Sequence, residues 1–356
     1  MRIATIVGAR PQFIKVAPVS KALAETGKVE EVLIHTGQHF DPEMSDVFFD
    51  ELGIAKPDHN LNIHGGGHSV MTGAMMQELE PLLQSLNVDR VLIYGDTNST
   101  LAGALVAAKL HIPVAHVEAG LRSFNRMMPE EINRIVADQL SDLLFTSTDE
   151  GTAQLIKEGI SRQRIIQVGD VMYDAALMFA EKALARASIL KTLDLSPRAY
   201  ILATVHRAEN TDKPKRLKNI VSALEKMTEI IPVVLPLHPR TAQKMKAFNI
   251  AFHHVKVIPP AGYLDMISLE SNAAVVATDS GGVQKEAFFY KVPCVTLRDE
   301  TEWVELVDLG WNRLTSPDRG DIADVIRCAI GSIGVDAQPY GDGSASQAIA
   351  ARLIKN

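Results

Sequence analysis

A chain of 356 residues exceeds what one hydrophobic core usually organises, and the length alone predicts about two domains. Its 46% apolar and 22% charged content is that of a globular protein, and no window reaches the roughly 18 apolar residues that a membrane span requires. A net charge of −7 argues against a nucleic-acid partner, which needs a basic face, and leaves room for a small anionic ligand held by a few local donors.

The first predicted strand, 3–7, is too short for a signal-peptide core and is followed at once by Arg10 and Lys15, so a cytoplasmic protein is expected. Further strand-like runs fall at 31–35, 90–94, 114–117, 143–146 and 165–168. After a helical stretch at 175–193 the pattern restarts with runs at 200–205, 233–237, 255–258, 273–277 and 294–297. Runs of this length separated by helices imply parallel sheets covered on both faces, and two series imply an α/β protein of two doubly wound domains. The boundary is expected near 168–174, dividing a domain at 1–170 from one at 171–340. Gly341-Asp342-Gly343-Ser344 breaks the chain before a last helix, and the segment 345–356 is expected to cross back onto the first domain. Cys294 and Cys328, without CxxC spacing, suggest neither a disulfide framework nor a zinc site.

Ligands of open α/β sheets bind at the carboxyl ends of the strands, and the polar residues gather there. Gly8-Ala9-Arg10-Pro11 follows the first strand, where a helix N-terminus with Arg10 and Lys15 nearby offers an anion site or an ordinary turn. Asp279-Ser280-Gly281-Gly282 has the same logic, with Glu286 one turn on as an acceptor for ribose hydroxyls; an N-cap at Asp279 or Ser280 is compatible with it. Asp96, Glu118 and Glu130 are the candidate acid/base groups. Asp96 could instead cap the helix beginning near Asn98, and Glu130 could simply pair with Arg134 at i,i+4. His206 and His238 each end a strand. His35, His39, His64 and His68 lack metal-ligand spacing, and Met71, Met75 and Met76 read as core or interface filling, so no metal is expected.

In one order along the chain stand GARPQFIK at 8–15, YGDT at 94–97, HVEAGLR at 116–122, PEEINR at 129–134, HRAEN at 206–210 and TDSGGVQKE at 278–286. This succession resembles the non-hydrolysing UDP-N-acetylglucosamine 2-epimerases over nearly the whole chain. GARPQF at 8–13, HTGQHFD at 35–41 and RDETEWVE at 298–305 look like the branch that includes UDP-2,3-diacetamido-2,3-dideoxyglucuronate 2-epimerases, although members named for UDP-N-acetylglucosamine carry such segments too. The resemblance implies a GT-B-like fold, two Rossmann-like domains around an interdomain cleft with UDP on the C-terminal one, a homodimer, and no metal or hydride-carrying cofactor. It implies that Asp96, Glu118 and Glu130 are the acid/base set and that Arg134 orients Glu130. Arg10, Lys15, His206 and the N–H groups around Ser280, Gly281 and Gly282 are then expected to hold the diphosphate, with His238 and Glu286 also binding and Tyr263 or Met266 packing on uracil. Trp303 stands where the better-known bacterial pattern has Arg, and the loop at 38–44 departs from that pattern in length, which argues against activation by a second substrate molecule there. The rival readings are a glycosyltransferase of the same fold, which needs an acceptor, a hydrolysing relative, and a non-catalytic nucleotide-sugar sensor.

Overall fold

The computed structural model describes residues 1–38, 49, 53–185 and 188–355. The chain forms two compact units, Met1–Met178 together with Gln338–Asn356, and Phe179–Ala337.

In the first unit β1 (Arg2–Val7), β2 (Glu30–His35), β3 (His59–Asn60), β4 (Arg90–Tyr94), β5 (Val114–Ala119), β6 (Leu143–Thr146) and β7 (Ile165–Gln167) form one parallel sheet, in the order β3-β2-β1-β4-β5-β6-β7. β1 reads Ile-Ala-Thr-Ile-Val because both its faces are covered. Ala4 and Ile6 join a core with Met75, Leu79 and Leu83 of the helix His68–Leu86, where each buried Leu or Ile contributes roughly 1.5–3 kcal/mol. The chain returns at its end: the helix Ala345–Leu353 packs on the helix Arg10–Glu25. The buried Asp174 carboxylate holds the start of the returning helix, accepting from Ala345 N at 3.2 Å and Ser346 N at 2.7 Å.

In the second unit β8 (Ile201–Thr204), β9 (Val233–Pro236), β10 (Lys256–Ile258), β11 (Val275–Thr278), β12 (Cys294–Thr296) and β13 (Asn312–Leu314) are again all parallel, in the order β10-β9-β8-β11-β12-β13. Alternation sorts its residues to two faces: Ile201 and Ala203 enter one core with Ile220 and Leu224, and Tyr200 and Leu202 enter another with Leu269 and Val292. Each sheet reverses its strand order once, between β1 and β4 and between β8 and β11, the places where such folds bind ligands.

The expected strands are present with ends moved by a residue or two, and β3 and β13 join them. β5 runs on to Ala119 through a register irregularity at Glu118. Of the expected helix at 175–193, the described residues show helix at Val171–Ala185, along which the chain passes from one unit to the other, and at Ser188–Thr192. Among the described residues no helix is long and apolar enough to cross a membrane.

Cys294 is buried in β12, and its thiol is pushed up to about 12 by burial, whereas Cys328 is exposed. A thiolate is the reacting species. Alkylation at pH 8 is therefore expected to modify Cys328 alone in the native protein and Cys294 only after denaturation, read by mass spectrometry. Equal labelling of both in the native state contradicts the burial.

Candidate active site

In the first unit the turn after β1 is locked by Gln12, a buried side chain in the first turn of the following helix. Its Oε1 accepts from Gly8 N at 2.8 Å and Ala9 N at 3.0 Å, and its Nε2 donates to Tyr94 O at 2.9 Å across to β4. A Cβ on Gly8 would stand 2.0 Å from Thr36 Oγ1 and 2.2 Å from Ser99 Oγ, so only glycine fits. The N–H groups of Gly8 and Ala9 are thus taken by Gln12, and Pro11 has none. The side chain of Arg10 lies outside the described residues, as does the loop 38–44 apart from Gln38, whose Oε1 accepts from Ser99 N at 3.1 Å.

Lys15 and Glu118 form a buried ion pair through Lys15 Nζ and Glu118 Oε2. Glu118 adopts a left-handed backbone, φ 68°, at the irregularity in β5, a conformation costly for a side chain with a Cβ and concentrated at functional sites. Gly95 is left-handed as well, φ 60°, and turns the end of β4 past this pair; a Cβ there would lie 3.3 Å from Glu118 Oε2 and 3.4 Å from Lys15 Nζ.

Asp96 follows. Its backbone carbonyl accepts from Asn133 Nδ2 at 2.8 Å, and its carboxylate faces Arg134 Nε at 3.0 Å. Burial raises the Asp96 carboxyl above its ordinary range; the cations of Arg134 and Lys15 oppose this, and the negative charges of Glu118 and Glu130 add to it. The helix after Asp96 is capped by Thr97, not by Asp96. Among the described residues no ion pair joins Arg134 to Glu130. Arg134 reaches Asp96 and, at 3.3 Å, Glu131 Oε2, because a guanidinium on the buried face of the helix Pro129–Leu140 meets the end of β4 there. Glu130 sits half-buried in the first turn of that helix, where the dipole favours a carboxylate.

In the second unit Asp279 follows β11 and is fully buried, but it is no helix cap. Its carboxylate accepts from His206 N at 3.0 Å, Arg207 N at 3.0 Å and Asn210 Nδ2 at 3.0 Å, and so holds the segment after β8. His206 Nδ1 lies 3.5 Å from the same carboxylate. Desolvation holds the His206 imidazole below its ordinary range, with Asp279 opposing. Its ring faces that of His238 at 5.8 Å, and His238 Nδ1 accepts from Arg240 N at 3.2 Å, leaving the His238 proton on Nε2.

The helix Gly281–Phe289 begins at Ser280 without a side-chain cap. Ser280 N donates to Thr278 Oγ1 at 2.9 Å, while the N–H groups of Gly281 and Gly282 have no hydrogen-bond partner among the described residues. Such N–H groups at a helix N-terminus have the geometry that suits an anion, and the Glu286 carboxylate lies beside them. Tyr263 is buried, with its ring T-shaped against that of Phe179 at 5.7 Å, and Met266 on the same helix is half-buried.

Sequence reasoning gave no role to Gln12, Lys285, Arg298 and Glu302. Arg298 forks onto Glu302 at 2.8 and 3.1 Å and reaches Glu209 at 3.1 Å. Trp303 donates from Nε1 to Gly281 O at 2.9 Å, and Lys285 Nζ stands 4.1 Å from its ring centroid, so an aromatic and a cation brace the glycine turn. Among the described residues no group of His, Cys, Asp or Glu is placed to hold a metal ion.

A family model described as UDP-N-acetylglucosamine 2-epimerase matches residues 21–354. A UDP-2,3-diacetamido-2,3-dideoxy-D-glucuronate 2-epimerase of Pseudomonas aeruginosa is 54% identical over the full length of both chains, and a UDP-N-acetylglucosamine 2-epimerase of Methanocaldococcus jannaschii is 42% identical over 98% of both. The crystal structure of a Methanocaldococcus jannaschii UDP-GlcNAc 2-epimerase in complex with UDP-GlcNAc and UDP superposes with a TM-score of 0.92 at 41% identity, and that of Neisseria meningitidis bound to UDP-GlcNAc with 0.91 at 30%, each covering 100% of both chains. On the motifs, the two Rossmann-type sheets and these full-length matches, the chain belongs to the UDP-N-acetylglucosamine 2-epimerase family.

Proposed function

We propose that the protein epimerises carbon 2 of UDP-2,3-diacetamido-2,3-dideoxy-D-glucuronate. The observation that supports this choice of substrate is the 54% identity, end to end, to a relative of that name, against 52% over 92% of the chain for a Methanococcus maripaludis relative named as a UDP-N-acetylglucosamine 2-epimerase homolog and 42% for the Methanocaldococcus jannaschii relative named for UDP-N-acetylglucosamine. The bound UDP-GlcNAc in the two superposed crystal structures favours UDP-N-acetylglucosamine as the second reading. The same proposal makes the protein a cytoplasmic homodimer that supplies sugar for a polysaccharide.

The carbon-2 proton is not next to a carbonyl, so direct abstraction is unfavourable. In this reading the anomeric C–O bond breaks with its electron pair leaving on UDP, a carboxylate takes the carbon-2 proton, and a double bond forms between carbons 1 and 2. UDP then adds back to carbon 1 while a proton reaches carbon 2 from the opposite face. The open N–H groups of Gly281 and Gly282, with His206 and Ser280, take the developing charge on the diphosphate. Asp96, Glu118 and Glu130 exchange the protons, and two faces call for two carriers. Glu118 pairs with Lys15 and Asp96 with Arg134, and burial raises the Asp96 carboxyl, which suits it to hold a proton.

The test is incubation with each nucleotide sugar in deuterated water without acceptor, followed by proton NMR. Expected are a 2-epimer carrying deuterium at carbon 2 and a kcat/KM at least about tenfold higher for the diacetamido-glucuronate, or roughly 1.4 kcal/mol of discrimination. A higher kcat/KM for UDP-N-acetylglucosamine selects the second reading. Retained hydrogen rejects the proton exchange, and free sugar with UDP makes the protein a hydrolase.

A further inference from the structure

We propose that His116 is a positioning residue whose two ring nitrogens both donate, and that it sets where Asp96 and Glu118 stand. The proposal rests on the reading above that these carboxylates exchange the protons. His116 lies in β5 and is fully buried. Its Nε2 is 2.7 Å from Gly95 O and its Nδ1 is 2.7 Å from Asp138 Oδ1. A carbonyl oxygen only accepts, so Nε2 carries a hydrogen. Asp138 Oδ2 accepts from Arg122 Nη1 at 2.7 Å and from Gly120 N at 3.2 Å. With its other oxygen accepting from a guanidinium and a backbone N–H, Asp138 is an acceptor in this contact, so Nδ1 donates to Oδ1.

Arg122 in turn forks onto Glu158, at 2.8 and 2.6 Å. His116, Arg122, Asp138 and Glu158 form a charge-balanced set, the condition under which buried ions are tolerated. Short bonds of this kind are charge-assisted and hold geometry better than neutral ones.

What the set holds are the backbones on either side of the reacting carboxylates. The Gly95 residue hangs from β5 at both ends: its N–H donates to Val117 O at 3.0 Å and its carbonyl accepts from His116. That carbonyl belongs to the peptide leading into Asp96. Glu118, in its left-handed conformation, is bracketed by the Val117 carbonyl bonded to Gly95 and by Gly120 N–H bonded to Asp138. Asp138 lies on the helix that carries Glu130 and Arg134. One imidazolium thus ties the end of β4, the irregular end of β5 and that helix together.

The experiment compares His116→Asn with His116→Gln. An Asn amide reaches the position of Nδ1 but not Gly95 O, whereas a Gln amide reaches Gly95 O. Expected for His116→Asn is a kcat lowered by about 10²-fold with KM and UDP Kd within about twofold, and for His116→Gln recovery of about tenfold of that loss. In ¹⁵N-histidine-labelled wild type, the His116 ring, assigned by its absence from His116→Gln, is expected to show a hydrogen on each nitrogen at neutral pH. A single ring hydrogen overturns the proposal. So does equal loss of kcat, KM and UDP affinity in both variants, or a lowered Tm with unchanged kcat. Should His116→Asn not fold, the NMR measurement and His116→Gln decide alone. A wild type that epimerises nothing refutes the functional reading, while the ring hydrogens still report on His116.

Discussion

Asp96→Asn and Glu118→Gln are each expected to lower kcat by roughly 10²–10⁴-fold, or about 3–5 kcal/mol of transition-state stabilisation, with UDP affinity within about threefold of wild type. Both exchanges keep the shape of the side chain and remove its ability to carry a proton. Asp96→Asn leaves in place the bond from Asn133 Nδ2 to the backbone carbonyl of residue 96, so the turn survives. The folded protein holds the Asp96 carboxyl above its unfolded range. Such a group favours folding below its unfolded value and loses that contribution as pH rises through the raised one. At neutral pH its ionised form is therefore a burden, and Asp96→Asn is expected to match or slightly exceed the wild-type Tm. The gain is small because 35% of the side chain is open to solvent. Glu118→Gln leaves the buried Lys15 ammonium without its anion and is expected to lose some stability. Steady-state NMR assays, UDP titration calorimetry and melting curves check all three. Two near-normal turnover rates remove these residues from the proton path.

Asp279→Ala is expected to cost the second unit about 3–5 kcal/mol and to weaken UDP binding at least tenfold. The carboxylate is fully buried and is the acceptor for His206 N, Arg207 N and Asn210 Nδ2. Removing it strands those donors, and each buried unsatisfied group costs about 1–3 kcal/mol. The segment that carries His206 loses its anchor with them. Because the chain has two units, the effect is read best by calorimetry that resolves two transitions, of which one moves down by about 10 °C. A shift under about 2 °C means that the segment is held by other contacts. Asp279→Asn keeps one acceptor oxygen and is expected to fall between.

The strands of both sheets were legible because parallel sheets covered on both faces demand short apolar runs, as in 3–7 and 90–94. β3 and β13 were not, for a related reason. Each is an edge strand, the first of His59–Asn60 alone and the second Asn-Arg-Leu, and an edge needs no apolar run. The gathering of polar residues at strand ends followed from the fold class. Their pairings did not: Arg134 reaches Asp96 across the fold and not Glu130 along the helix, and Asp279 anchors a neighbouring segment and caps nothing. The left-handed backbone of Glu118 leaves no mark in sequence, since glutamate has no preference for it. The buried histidine in β5 did leave one: a polar residue centred in an apolar strand must find partners, and Asp138 and Arg122 were within reach of that question.

The return of the chain at Asp174 bears on how the protein is made. A ribosome releases the strands of the first unit early, but the helix that covers the face of Arg10–Glu25, with Ile349, Ala350 and Leu353 buried, emerges only after the second unit. The second unit is complete before the first can close. The nascent first sheet therefore waits, with one apolar helix face bare, until the whole second unit is translated, an interval in which exposed apolar surface favours misassembly.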